Sequence, residues 1–132
     1  MTDRPARLVH IPADGLSADT AQTGGMHRAE ALSGSRVGAD ALWMGTTTVD
    51  PHTSSGVHHH GRSETGIYVV SGNPIFRFRD GDDIIELATE PGSFVYVPPF
   101  APHLEENAGD EPAVVVIART TQEAIAEPLD EL

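Results

Sequence analysis

The chain has no cysteine and no lysine. The first absence excludes disulfides, thiol nucleophiles, iron–sulfur clusters and cysteine-based zinc sites. The second excludes a lysine Schiff base and leaves arginine as the carrier of all eight positive charges. Twenty acidic residues oppose them, for a formal net charge of −12 with seven neutral histidines. A nucleic-acid backbone or an anionic membrane face is therefore not an expected partner. No apolar run approaches the roughly 20 residues of a membrane span, and Met1–His10 lacks the apolar stretch of a signal peptide. These features predict a cytoplasmic protein. Aromatic residues are scarce, at 5% of the chain. The length of 132 residues suits one domain and a sizeable core.

Thirteen glycines and ten prolines leave no room for long helices. Residues 1–25 are poor in large apolar side chains apart from Leu8-Val9-His10-Ile11, and they read as an N-terminal arm with one possible edge strand. Residues 26–132 read as a single domain. Strand-like runs fall at Ala41–Val49, Gly56–His60, Gly66–Val70, Ile75–Arg79, Ile84–Ala88, Ser93–Val97, His103–Glu106 and Ala113–Arg119. Turn chemistry separates them, as in Ser71-Gly72-Asn73-Pro74 and Asp80-Gly81-Asp82. This spacing predicts an all-β sandwich or barrel. A short C-terminal helix is expected over Gln122–Glu127, capped by Thr120 or Thr121 and stopped by Pro128.

The densest chemistry lies in Val57-His58-His59-His60-Gly61-Arg62-Ser63-Glu64. On a strand, alternate side chains share a face, so His58 and His60 point one way and His59 the other. Two neutral imidazoles on one face suit a divalent metal. His103, held behind Pro98-Pro99-Phe100-Ala101-Pro102, is the candidate third ligand. A histidine triplet is equally often a solvated polar tract, so the flanking pattern decides its meaning.

That flank resembles the cupin superfamily over roughly Ala41 to Arg119. The family's first motif reads G-x5-H-x-H-x3,4-E-x6-G; here Pro51-His52 stands in place of Pro-Gly, followed by His58, His60 and a closing Gly72. The second reads G-x5-P-x-G-x2-H-x3-N, matched by Gly92, Pro98, His103 and Asn107. The resemblance implies a double-stranded β-helix, a jelly-roll barrel of antiparallel strands, with a metal held inside by His58, His60, His103 and Glu64. His52 and Phe100 stand at glycine positions of the motifs. Glu64 satisfies the spacing from His60 but lies one residue too far from Gly72, whereas Thr65 satisfies both counts. A one-residue shift reverses the face unless a bulge absorbs it, so both registers stand. The alternative to Glu64 is a mainly histidine site completed by His59, His52 or water.

Trp43, Tyr68, Phe76, Tyr96 and Phe100 are candidate lining for a substrate cavity, although strand aromatics are normally core. In Ile75-Phe76-Arg77-Phe78-Arg79 the stronger reading places the phenylalanines inside and the arginines in solvent. The donor set admits zinc, iron, nickel, manganese or cobalt. A site with open positions implies a metal-dependent isomerase or polyketide-cyclase-like enzyme acting on a small organic molecule. A cupin-type dioxygenase and a non-catalytic small-ligand-binding module are the alternatives. A homodimer joined around Leu8–Ile11 is expected, because an edge strand invites pairing with another chain.

Overall fold

A computed structural model describes residues 6–132; Met1–Pro5 of the N-terminal arm lie outside the described residues. The short apolar runs predicted from turn spacing form strands, and with three more they make a β structure of eleven strands among the described residues. In chain order these are β1 (Met26–Leu32), β2 (Trp43–Val49), β3 (Thr53–Ser54), β4 (His58–His59), β5 (Thr65–Ser71) and β6 (Ile75–Asp80). They continue with β7 (Asp83–Ala88), β8 (Phe94–Val97), β9 (Leu104–Asn107), β10 (Ala113–Arg119) and β11 (Glu127–Pro128). One helical turn, α1 (Gly34–Val37), follows β1 and is capped by the Ser33 side chain, which accepts from the Arg36 N–H.

All strand pairs are antiparallel. One sheet has the order β1-β2-β10-β5-β8, the second β3-β9-β6-β7, and β11 pairs with β4. Non-sequential neighbours in both large sheets give the crossed connections of a jelly roll. Strict alternation decides which face is inner: in β5, Thr65, Ile67 and Val69 are buried while Gly66, Tyr68 and Val70 point out. Ile67, Val69, Phe76, Val97 and Val115 form the main core, and Met26, Val49 and Ala113 a second cluster. Each such large apolar side chain contributes on the order of 2 kcal/mol through burial. Phe76 is inside, while Arg77 pairs with Glu86 and Glu106 on the outside.

β1 is missing from the strand-like runs read in the sequence, because Met-His-Arg-Ala-Glu-Ala-Leu lacks an apolar alternation. It forms because β2 pairs with it along its length. Gly45 permits this pairing: a Cβ there would collide with the Ala29 carbonyl oxygen and lie 2.8 Å from the Trp43 ring. Gly45→Val should therefore destabilise the fold by about 3 kcal/mol or more, read by chemical denaturation. An unchanged midpoint would show that β1 is not seated as described.

Both ends of the chain differ from expectation. Leu8–Ile11 is not a strand, and Leu8 is fully exposed. The arm joins the sheet only later, where Ser17 exchanges backbone hydrogen bonds with Glu30. The expected C-terminal helix is also absent: residues 121–126 have no regular structure and lead into β11. A six-residue helix is a poor competitor in water. Here the segment's polar groups have tertiary partners instead, with Ile125 O on His60, Gln122 on Gly34 N and Leu42 O, and Leu129 N on Val57 O. No helix among the described residues is long and apolar enough to cross a membrane.

Candidate metal centre

His58 and His103 sit directly opposite each other and exchange two backbone hydrogen bonds, of 3.0 and 2.9 Å. Strand alternation brings His60 onto the same face as His58, with ring centroids 4.8 Å apart; His60 and His103 are 5.0 Å apart. One ring nitrogen from each of the three lies within 4.8 Å of the others, a group able to hold a metal ion.

The hydrogen bonds behind the rings set their chemistry. Each Nδ1 faces a backbone carbonyl: Gly56 O for His58 at 2.9 Å, Ile125 O for His60 at 2.7 Å and Ala101 O for His103 at 2.9 Å. A carbonyl only accepts, so each Nδ1 carries the proton and donates it. The Nε2 lone pairs are left to face one another. Burial pushes His60 and His103 down to about 4 and lowers His58 as well, so the three rings are neutral at pH 7. Three neutral, pre-oriented imidazoles fit a borderline divalent cation and leave positions for water or substrate. His59 points away: its Nδ1 accepts from Gly61 N–H, and its ring rests near Phe100.

Glu64 is not brought to this group. Its side chain is exposed and accepts a 2.7 Å hydrogen bond from the Tyr96 hydroxyl, so the expected carboxylate ligand is corrected. No bulge shifts the register there. Thr65, the residue that satisfies both motif counts, is the one that is buried and lines the cavity. Glu64→Gln should leave metal affinity within about twofold of the parent, measured by competition with a chelating dye. A strong loss would return Glu64 to the ligand set. His52 also lies elsewhere, hydrogen-bonded to the exposed Asp110. Both His52 and Phe100, at the motif glycine positions, adopt the left-handed backbone, with φ of 55° and 58°. The turns keep the glycine conformation without the glycine.

The histidines open into a cavity of about 260 Å³. None of Trp43, Tyr68, Phe76, Tyr96 and Phe100 lines it, which corrects the expected aromatic lining. Trp43 is buried under the Arg119 guanidinium and donates to Glu30. Phe76 is core, and Tyr68, Tyr96 and Phe100 are on the exterior. The cavity wall is instead aliphatic and charged, with Ile67, Ile117 and Met26 beside Arg28, Glu105 and Arg119. Sequence reading missed these three charged residues. Glu105 carried a usable signal, since it stands two residues after His103 and so shares its face. Glu105 is 6% exposed, its Oε2 has no hydrogen-bond partner, and burial pushes its carboxyl up to about 7. Residues 21–23 of the arm and 124–126 of the C-terminal segment complete the wall.

Comparison with known proteins follows the same lines. Among solved structures of similar fold, Peruvianin-I, a cysteine peptidase from Thevetia peruviana latex, superposes with a TM-score of 0.70 at 14% identity. The alignment covers 88% of this chain and 74% of that one. A recombinant oxalate oxidase in complex with glycolate gives a TM-score of 0.70 at 18% identity, over 85% and 59% of the two chains. Oxalate decarboxylase from Bacillus subtilis gives 0.70 at 22%, over 82% and 28%. These likenesses show the fold, and the chain spans little more than a quarter of the decarboxylase. A chain without cysteine does not share a cysteine peptidase's nucleophile. The comparison with curated proteins found no match. The family described as "Cupin domain" matches residues 45–119, more than half of the chain, and these residues supply the three histidines and most of both sheets. The chain belongs to the cupin family.

Proposed function

We propose that the protein is a metal-dependent enzyme of the isomerase or cyclase kind, acting on a small organic molecule inside the barrel. The observation that carries this reading is the cluster of three Nε2 donors, fixed by backbone carbonyls, at the wall of a cavity with no carboxylate ligand among them. A divalent cation held there would supply Lewis-acid polarisation of a carbonyl or enol oxygen. The protein's own part is to hold the rings in one tautomer, seat the substrate against the paired Ile67 and Ile117, and cover it with residues 124–126. The ligand set lacks the carboxylate that supported the dioxygenase alternative, which favours non-oxidative chemistry.

The test is proton–deuterium exchange in D2O, followed by NMR on a panel of small enolisable ketones and keto acids. Zinc-loaded protein should exchange the proton next to the carbonyl, and chelator-stripped protein should not. Oxygen consumption by iron-loaded protein without such exchange would transfer the assignment to the dioxygenase reading.

The homodimer is also retained as a proposal, with a different surface. β8 is an edge strand, and the outer face of β5 and β8 presents Tyr68, Val70, Phe94 and Tyr96, the last two 79% and 61% exposed. A second copy of this chain covering that face would bury the patch. Light scattering should then give twice the chain mass of 14.0 kDa, falling to the single mass in Phe94→Glu. A parent that scatters as a monomer contradicts it.

A further inference from the structure

The chain carries an excess of negative charge, yet two of its eight arginines line the cavity onto which all three clustered histidines open. Arg119 is already committed: it stacks 4.0 Å above Trp43 and donates to the Thr121 and Gln122 carbonyls. Arg28 is not. Its Nη1 is tethered to Thr23 Oγ1 at 2.9 Å and to Ala21 O, while its Nε and Nη2 have no hydrogen-bond partner among the described residues. It lines the same cavity wall as His58, His60, His103 and Glu105. Glu105 attracts it but forms no ion pair with it within 4.0 Å among the described residues. The tethered guanidinium and the buried carboxyl with its unpartnered oxygen both line this cavity of about 260 Å³.

We propose that the cavity takes a small hydroxy acid, whose carboxylate sits on the Arg28 fork beside the three imidazoles and whose hydroxyl hydrogen-bonds the unpartnered Glu105 Oε2. A planar guanidinium matches a carboxylate with two parallel hydrogen bonds, and such charge-assisted bonds are the strong ones inside a poorly hydrated site. A buried polar atom without a partner costs free energy that a correctly placed ligand group recovers. The volume of about 260 Å³ admits only a small molecule. The inference rests on reading this cavity as the substrate site, and not on the metal being bound.

Calorimetric titration of the full chain, with and without one equivalent of zinc, tests it using lactate, its amide lactamide and its deoxy analogue propionate. Lactate should bind in both states. Lactamide and propionate should each bind about tenfold more weakly or worse, since each lacks one of the two contacts. Arg28→Gln should weaken lactate by about 10- to 100-fold, and Arg28→Lys, which keeps the charge without the fork, by less. The proposal is overturned if lactamide binds as tightly as lactate, if Arg28→Gln binds lactate like the parent, or if none of the three shows saturable binding. The ligand comparison uses the parent protein and so does not depend on a variant folding. Lactate binding that depends on Arg28 in a protein that retains no zinc would count against the metal reading alone.

Discussion

His60→Ala is expected to lose about 100-fold or more of its zinc affinity, and His58→Ala and His103→Ala the same, whereas His59→Ala stays within a fewfold of the parent. Each of the first three substitutions leaves two donors where three converge, a larger loss than the 10- to 100-fold typical of removing an outer hydrogen-bond partner. His59 lies one residue from two of these ligands, but strand alternation turns it outward, where its Nδ1 accepts from Gly61 N–H. The contrast within one tripeptide separates a built site from a charge-neutral polar tract, which would bind weakly and lose affinity evenly. Chelator competition, with elemental analysis of the dialysed proteins, gives the answer. Equal losses from His58, His59 and His60 would mean that the register described for β4 is incorrect.

The second large effect concerns stability and falls on Asn107, the last residue of the second motif. It is 3% exposed and has no part in the metal group. Its Nδ2 donates to the carbonyls of Val49 at 3.1 Å, Asp50 at 3.3 Å and Glu111 at 2.8 Å, and its Oδ1 accepts from Gly109 N–H. One side chain thus ties the end of β9 to the end of β2 and to the turn that launches β10. Asn107→Ala removes these bonds, including the buried one to the Val49 carbonyl, at a cost of about 3 kcal/mol. For a domain of this size that lowers the thermal midpoint by about 10 °C. Calorimetry should show this drop together with unchanged zinc affinity below the transition. A midpoint like the parent's would mean that water replaces the amide without loss.

What could be read from the sequence follows from how locally each feature is determined. Alternation along His58-His59-His60 needs only a strand, and the rigid prolines before His103 make its placement a short-range matter. The barrel follows from turn residues at regular spacing. The choice between Glu64 and Thr65 was not local: it depended on whether β5 pairs without a bulge beside β8, which Thr65↔Val97 and Gly66↔Tyr96 show that it does. The aromatic residues misled because the outer face of β5 and β8 is as apolar as the inner one, so period alone does not say which side is in. Arg28 was hidden in a strand held by β2 rather than by its own composition. The C-terminal segment was hidden likewise, since its conformation is set by partners more than sixty residues earlier in the chain, such as Ile125 O on His60.

The central claim is that His58, His60 and His103 bind one metal ion through their Nε2 atoms, without a carboxylate from Glu64. X-ray absorption at the zinc edge of the full chain, loaded with one equivalent and dialysed, tests it directly. The account predicts one retained ion with three imidazole nitrogens at about 2.0–2.1 Å, the rest of the shell being light oxygen scatterers, and the same spectrum in Glu64→Gln. Loss of the ion on dialysis, or a shell without the multiple scattering of imidazole rings, would contradict it.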